Sequence, residues 1–142
     1  MKIVVDANII FAALIKDSTT RALIMFLEAD FYFPEDMLAE IQKYKELIKK
    51  KAGFSEEEFN TNIQKIFEYV ELVPPKEIVD HIKKAQEIMA DIDPKDAVVL
   101  AVAMLHKGSI IWSTDPHLKM QKIIPAVTTK ELLPLYKDRY YK

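Results

Sequence analysis

Lys2-Ile3-Val4-Val5-Asp6-Ala7-Asn8 is the stretch whose reading decides the fold. Lys2 to Asp6 is short, β-rich and apolar without alternation, the pattern of a central strand buried on both faces of a parallel sheet. It ends on a carboxylate, Asp6, with an amide, Asn8, two residues on. A second such run, Ser109 to Ser113, leads into Thr114-Asp115-Pro116. Phe31-Tyr32-Phe33, stopped by Pro34, Val70 to Val73, closed by Pro74-Pro75, and Ile124 to Val127 read as further strands.

Helical patterns fill the gaps. Asn8 to Leu14 is a short buried helix. Ser18 or Thr19 can cap the next, Arg21 to Glu28. Glu35 to Lys51 reads as one continuous helix, with Met37, Leu38, Ile41, Tyr44, Leu47 and Ile48 on a single stripe and Gly53 as its stop. Ser55-Glu56-Glu57-Glu58 is a capping box opening a helix to about Tyr69. Lys76 to Ala90 is amphipathic. Asp93-Pro94 opens a helix to Lys107 that is apolar nearly all round, so it belongs deep in the core, with Gly108 as its end. Thr128 to Glu131 is a second capping box before the last helix. Strands alternating with helices give an α/β three-layer sandwich with a mostly parallel sheet.

A chain of 142 residues fits one domain spanning 1–142. Half its residues are apolar, which excludes general disorder. With 20 basic against 22 acidic residues the net charge is −2, so no basic footprint advertises a nucleic-acid partner. An acidic metal site would lower that total while basic patches lay elsewhere. The absence of cysteine excludes disulfides and thiolate metal sites. No stretch has the order of a signal peptide, and no apolar run approaches the ~20 residues of a membrane span. The expectation is a soluble, cytoplasmic protein with no membrane partner.

Ligands of such a sheet bind outside the carboxyl ends of its strands. Asp6 and Asp115 fall at two such ends. Asp96 lies in the first turn of the apolar helix, and Glu40 near the edge of the third helix's buried stripe. Two carboxylates at ~4 Å repel by about 4 kcal/mol at an effective dielectric of ~20. A fold that gathers four of them is expected to hold a divalent cation, and with it to handle phosphate. Asn8 could orient a water or a neighbouring carboxylate. The hydroxyls of Ser113 and Thr114 could support Asp115 or meet a phosphate oxygen. Each acid also has a plainer use: Asp6 and Asp93 as helix caps, Asp96 as the partner in a capping box, Glu40 as a solvated helix residue, Asp115 as the start of an Asp-Pro turn. His81, His106 and His117 form no metal-binding spacing on one helix. His117 lies near Asp115 and could touch RNA, though it reads first as structural. Trp112 reads as core, and Tyr136, Tyr140 and Tyr141 could stack bases or form an interface.

Val4-Val5-Asp6-Ala7-Asn8, Pro34 to Glu40-Ile41, Asp96-Ala97-Val98-Val99-Leu100-Ala101-Val102-Ala103 and Ser113-Thr114-Asp115 together resemble the PIN-domain nucleases, among them the toxin ribonucleases of the VapC type. The resemblance spans nearly the whole chain and rests on the ordered set. It implies a PIN-like fold, with Asp6, Glu40, Asp96 and Asp115 as the catalytic, metal-binding acids. Asn8, Asp93, Ser113 and Thr114 would support them, with either Asp93 or Asp96 turned inward as the direct ligand. Oxygen-only ligands suit Mg²⁺ or Mn²⁺, as one ion or two. The implied activity is endonucleolytic cleavage of single-stranded RNA by metal-activated water, leaving a 5′-phosphate and a 3′-hydroxyl. The implied partners are a small antitoxin protein and a second copy in a homodimer; a role in RNA processing without an antitoxin is the alternative. Cations must hold the flanking phosphates. Lys16, Arg21 and Lys119 are the chosen candidates, with Lys43, Lys45, Lys49 to Lys51 and Lys122 also available.

Rival readings fit less well. A haloacid-dehalogenase-like phosphatase wants a second Asp where Asn8 stands. A response-regulator receiver needs a phosphoacceptor Asp on a middle strand and a late Lys. A nucleotide switch needs a Gly-rich phosphate loop. A catalytically silent RNA- or protein-binding module is argued against by the presence of all four acids.

Overall fold

The computed structural model describes residues 1–15 and 18–140. Lys16, named above as a phosphate contact, and Tyr141 lie outside the described residues, as do the side chains of Ser18 and Tyr140. Five parallel strands form one sheet: β1 (Lys2–Val5), β2 (Asp30–Pro34), β3 (Val70–Val73), β4 (Ile110–Trp112) and β5 (Ala126–Val127). Their spatial order is β3-β2-β1-β4-β5. β1 is therefore central, with Val4 beside Tyr32 on one neighbour and Ile111 on the other.

The helices are α1 (Ala7–Leu14), α2 (Ser18–Phe26), α3 (Leu38–Lys43), α4 (Lys45–Ala52), α5 (Glu56–Phe67), α6 (Val79–Met89), α7 (Ala97–Leu105) and α8 (Thr129–Tyr140). Crossovers between parallel strands are right-handed almost without exception. The chain moves outward from β1 through β2 to β3, then returns to the far side of β1 for β4. Reversing the direction of travel puts the crossover helices on the opposite face. The packing follows this. Ile3, Val5, Phe31, Phe33 and Trp112 form one core with residues of α1, α2, α4 and α5, including Ile10, Leu23, Ile48 and Phe59. Val4 and Ile111 point the other way, into a second core with α6 and α7. This alternation within a buried sheet makes three layers.

The long helix expected over Glu35 to Lys51 is instead a 3₁₀ turn (Glu35–Met37) followed by two α-helices that part at Tyr44. There the dihedrals depart from helical values (φ −101°, ψ 10°), although the Tyr44 N–H still donates to Glu40 O at 3.2 Å and the Tyr44 carbonyl accepts from the Ile48 N–H at 2.9 Å. The Tyr44 ring packs edge-on with Phe11 of α1, centroids 5.7 Å apart at 74°. Periodicity could not reveal the break because Ile41 and Ile48, seven residues apart, stay buried across it. Tyr44 and Leu47 are exposed instead of completing the stripe. The helix after Asp93 likewise begins as a 3₁₀ turn, Pro94–Asp96, before α7. Both capping boxes are present: Ser55 with Glu58, and Thr128 with Glu131. Gly53 ends α4 at φ +71°, a backbone conformation that costs glycine nothing.

Trp112 is fully buried beneath the exit of β4, packs on Phe31, and donates its indole N–H to Thr129 Oγ1 at 3.0 Å. Trp112→Ala should cost about 3–5 kcal/mol of folding stability and Thr129→Ala about 1 kcal/mol, read from urea unfolding midpoints. Equal effects of the two would show that the indole hydrogen bond, and not packing, holds the residue.

Candidate metal centre

The order of the strands makes the carboxyl ends of β1 and β4 adjacent, at the point where the chain reverses direction across the sheet. Asp6 leaves β1 there. Its N–H donates to Trp112 O at 3.0 Å, so the strand pairing itself sets its position. Its Oδ1 accepts the Ala7 N–H at 2.8 Å and caps α1. Its Oδ2 accepts from Ser113 Oγ at 2.7 Å. Ser113 Oγ in turn accepts the Asp115 N–H at 2.9 Å, so one buried hydroxyl ties the two strand exits together. Asp115 opens the 3₁₀ turn Pro116–Lys119, its Oδ1 accepting the His117 N–H at 2.9 Å. The capping and clustering roles of Asp6 and Asp115 are thus compatible: one oxygen of each serves the backbone, and the other Asp6 oxygen accepts only the Ser113 hydroxyl.

Asp96 reaches the same place from the other face. Asp93 caps the preceding turn, accepting the Lys95 N–H at 3.2 Å, and the turn carries Asp96 inward ahead of α7. Asp6 and Asp96 are only 4% and 5% exposed. Asp6, Asp96 and Asp115 each offer a carboxylate oxygen, all lying within 4.8 Å of one another. Asp93 sits on the outer side, where it, Asp115 and His117 form a second close set. His117 Nδ1 lies 3.0 Å from Asp115 Oδ1 and 3.6 Å from Asp93 Oδ2. His117, two residues after Asp115 in the sequence, thus belongs to this end of the molecule.

Burial raises the Asp6 carboxyl above its ordinary range, against the hydrogen bonds from Ser113 and Ala7; the charges of Asp115 and Asp93 add to the rise. Asp96 is pushed up to about 8, first by burial and then by the charges of Asp6, Asp115 and Asp93. Asp96 has fewer donors to oppose the shift. Its Oδ2 is buried with no hydrogen-bond partner among the described residues. An orphaned buried carboxylate oxygen is costly unless a cation or proton meets it. The donors are all oxygens, which suits a hard divalent ion such as Mg²⁺ or Mn²⁺. The residues present therefore fit the ion expected from the sequence.

A groove of about 720 Å³ opens over the cluster. Asp6, Asp93, Asp96 and Asp115 line it, with half-buried Glu40 and exposed Asn8. Glu40 shares the groove but not the tight three-acid set. Thr114 is exposed and outside the groove lining. Arg21 lies elsewhere: its Nε and Nη2 donate to Ala13 O at 3.0 and 2.7 Å, near the C-terminal end of α1. Lys119 is ion-paired with Glu131 on α8. The lysines that line the groove are Lys51 and Lys95. Lys95, between Asp93 and Asp96, went unremarked in the sequence because its neighbours' capping roles account for the segment without it.

A family model described as "PIN domain" matches residues 4–133. Among solved structures the chain is similar to VapBC2 from Rickettsia felis, determined bound to a DNA fragment from their promoter, with a TM-score of 0.70. The match covers 90% of this chain and 98% of that one at 14% identity, a likeness of fold. No curated protein matches in sequence.

An acid whose folded pKa is raised holds its proton more tightly folded than unfolded. The metal-free protein should therefore lose stability as pH rises from the ordinary value of 3.8 toward about 8. Asp96→Asn should raise the metal-free melting temperature at pH 8 by about 5–10 °C and leave it nearly unchanged at pH 4. Mn²⁺ at pH 8 should stabilise the parent protein more than this variant. An equal difference between the two proteins at both pH values would rule out the buried carboxylate as the cause.

Proposed function

The chain belongs to the PIN domain family, and on that premise we propose that it is a divalent-metal-dependent endoribonuclease that cuts single-stranded RNA. The observation that carries the reading is the close trio of buried Asp6 and Asp96 with part-exposed Asp115, bearing the orphaned Asp96 oxygen and lining an open groove. A structural salt-bridge network would bring cations to these acids; here acids face acids. Asp6, Asp96 and Asp115 would hold Mg²⁺ or Mn²⁺. When bound, the ion lowers the pKa of water and offsets charge on the phosphate under attack.

The protein's own residues do the rest. Ser113 holds Asp6 and Asp115 in fixed relation through one hydroxyl, so the ligand set is oriented before the ion arrives. Glu40, in the same groove but outside the trio, offers a further carboxylate to the ion or to the proton of the attacking water. Asn8, exposed in the groove, can bond substrate oxygen or water. Asp93 and His117 support Asp115 from outside. Attack in line on phosphorus leaves a 5′-phosphate and a 3′-hydroxyl. The similarity in fold to VapBC2 favours placing the enzyme as the toxin of a toxin–antitoxin pair, with a small antitoxin protein over the groove.

The test is incubation of end-labelled single-stranded RNA with the protein and Mn²⁺ or Mg²⁺. Cleavage should require the ion, stop with EDTA, and give 5′-phosphate ends. Asp6→Asn and Asp96→Asn should each lower the rate by about 100-fold or more, while both proteins remain folded by circular dichroism. Undiminished cleavage by both variants, or none by the parent protein with either ion, would falsify the reading.

A further inference from the structure

The groove has two unlike walls. One is acidic. The other is formed by Phe11 of α1 and Ile15 just after it, with Tyr44, Leu47 and Ile48 where α3 gives way to α4. Tyr44, Leu47, Ile48 and Lys51 recur at helical spacing, and all four line the groove. An apolar wall is not needed to bind a metal ion. Its ring and leucine are left facing solvent (Tyr44 38%, Leu47 47%) although the rest of the helix pair is anchored by Ile41 and Ile48. The Tyr44 ring lines the groove from the point where the two helices part. Phe11 braces it edge-on, and Lys43 Nζ stands 5.4 Å from the ring centroid.

We propose that Tyr44 is a base-stacking residue: it holds one nucleobase of a single-stranded RNA against the apolar wall and so selects which phosphate reaches the acidic cluster. The inference rests on the nuclease reading and names the substrate contact that reading leaves open. A base has an apolar face of about the size of the ring, and stacking on an aromatic side chain tolerates any sequence. The wall is continuous with the acids in one groove, so a base on Tyr44 and a phosphate at the cluster can belong to one strand. Lys51, two turns along from Tyr44, and Lys95, next to Asp96, supply positive charge at the two parts of the groove where phosphates would lie. Lys43 can exchange its ring contact for a phosphate as a base arrives. A peptide partner would meet the same wall, but would not explain lysines beside both the ring and the acids.

The experiment pairs an abasic scan of a short RNA with Tyr44→Ala and Tyr44→Trp. Binding is read by fluorescence anisotropy with Ca²⁺ in place of Mn²⁺, and cleavage separately with Mn²⁺. The parent protein should bind the intact strand about 10-fold more tightly than the strand lacking one particular base. Tyr44→Ala should erase that preference, Tyr44→Trp should keep it, and the cut site should become less defined in Tyr44→Ala. Equal weakening of intact and abasic strands in Tyr44→Ala would assign the ring a structural role and overturn the proposal. An unchanged base preference in that variant would also overturn it, leaving the wall to a protein partner. A base preference dependent on Tyr44 in a parent protein that never cuts RNA would uphold the stacking contact and remove the nuclease reading. Absence of binding to either strand overturns both.

Discussion

Like charges are held together inside this protein, and the rest of the structure is arranged to tolerate that repulsion. Asp6, Asp96 and Asp115 approach closely, the first two almost wholly buried and Asp115 part-exposed beside the groove. Each is fixed by something stiffer than its own side chain. Asp6 is attached to the central strand and paired to β4 through its N–H. Asp115 is tied to the Ser113 hydroxyl through its backbone. Asp96 stands at the head of α7, whose Val99, Leu100, Ala101, Val102 and Ala103 are all fully buried. A helix so embedded cannot swing away to relieve the charge. The carboxylate responds by holding its proton, hence a pKa of about 8 in the absence of an ion.

The place where these acids meet follows from chain order. Growth from β1 toward β3 and then back to β4 leaves a crevice between β1 and β4, with helices from opposite faces flanking it. α1 begins at Asp6 on one side, and α7 begins after Asp96 on the other. Parallel strands send all their carboxyl ends to one edge, so residues more than a hundred positions apart, Asp6 and Ser113, come to share a hydrogen bond. An antiparallel sheet of the same strands would have placed Asp6 and Asp115 at opposite edges.

This convergence was readable because its signals are local. A strand's end, a helix's first turn and an all-apolar helix can each be recognised within a few residues, and the parallel sheet then does the assembling. Asp6, Asp96 and Asp115 therefore came to light together. What stayed hidden depends on three-dimensional packing. The question of Asp93 against Asp96 could not be settled by letters, since both lie in one turn; the geometry turns Asp96 into the cluster and leaves Asp93 as the cap. The Tyr44 ring, at the break, packs on Phe11, thirty-three positions away, a contact no local pattern announces. Arg21 and Lys119 looked free because nothing in their neighbourhoods announces Ala13 O or Glu131 as partners. Charged residues in helices and turns carry no local mark of whether they are already engaged.

That last distinction bears on how an acidic groove could accept a polyanion. Asp6, Asp36, Glu40, Asp93, Asp96 and Asp115 line it against Lys51 and Lys95, so without an ion the groove repels phosphate. Protonation of Asp96 relieves part of the charge, but at the expense of a ligand. On the proposed reading, a divalent ion would offset two charges, take the place of that proton and meet the orphaned oxygen. On the same reading, binding of the ion and of an RNA strand would be thermodynamically linked: whatever tightens one would tighten the other by the same factor. The balance also explains why the cations sit where they do. Lysines inside the trio would compete with a metal ion for the carboxylates; lysines on the groove walls would add attraction for a strand while leaving the carboxylates free.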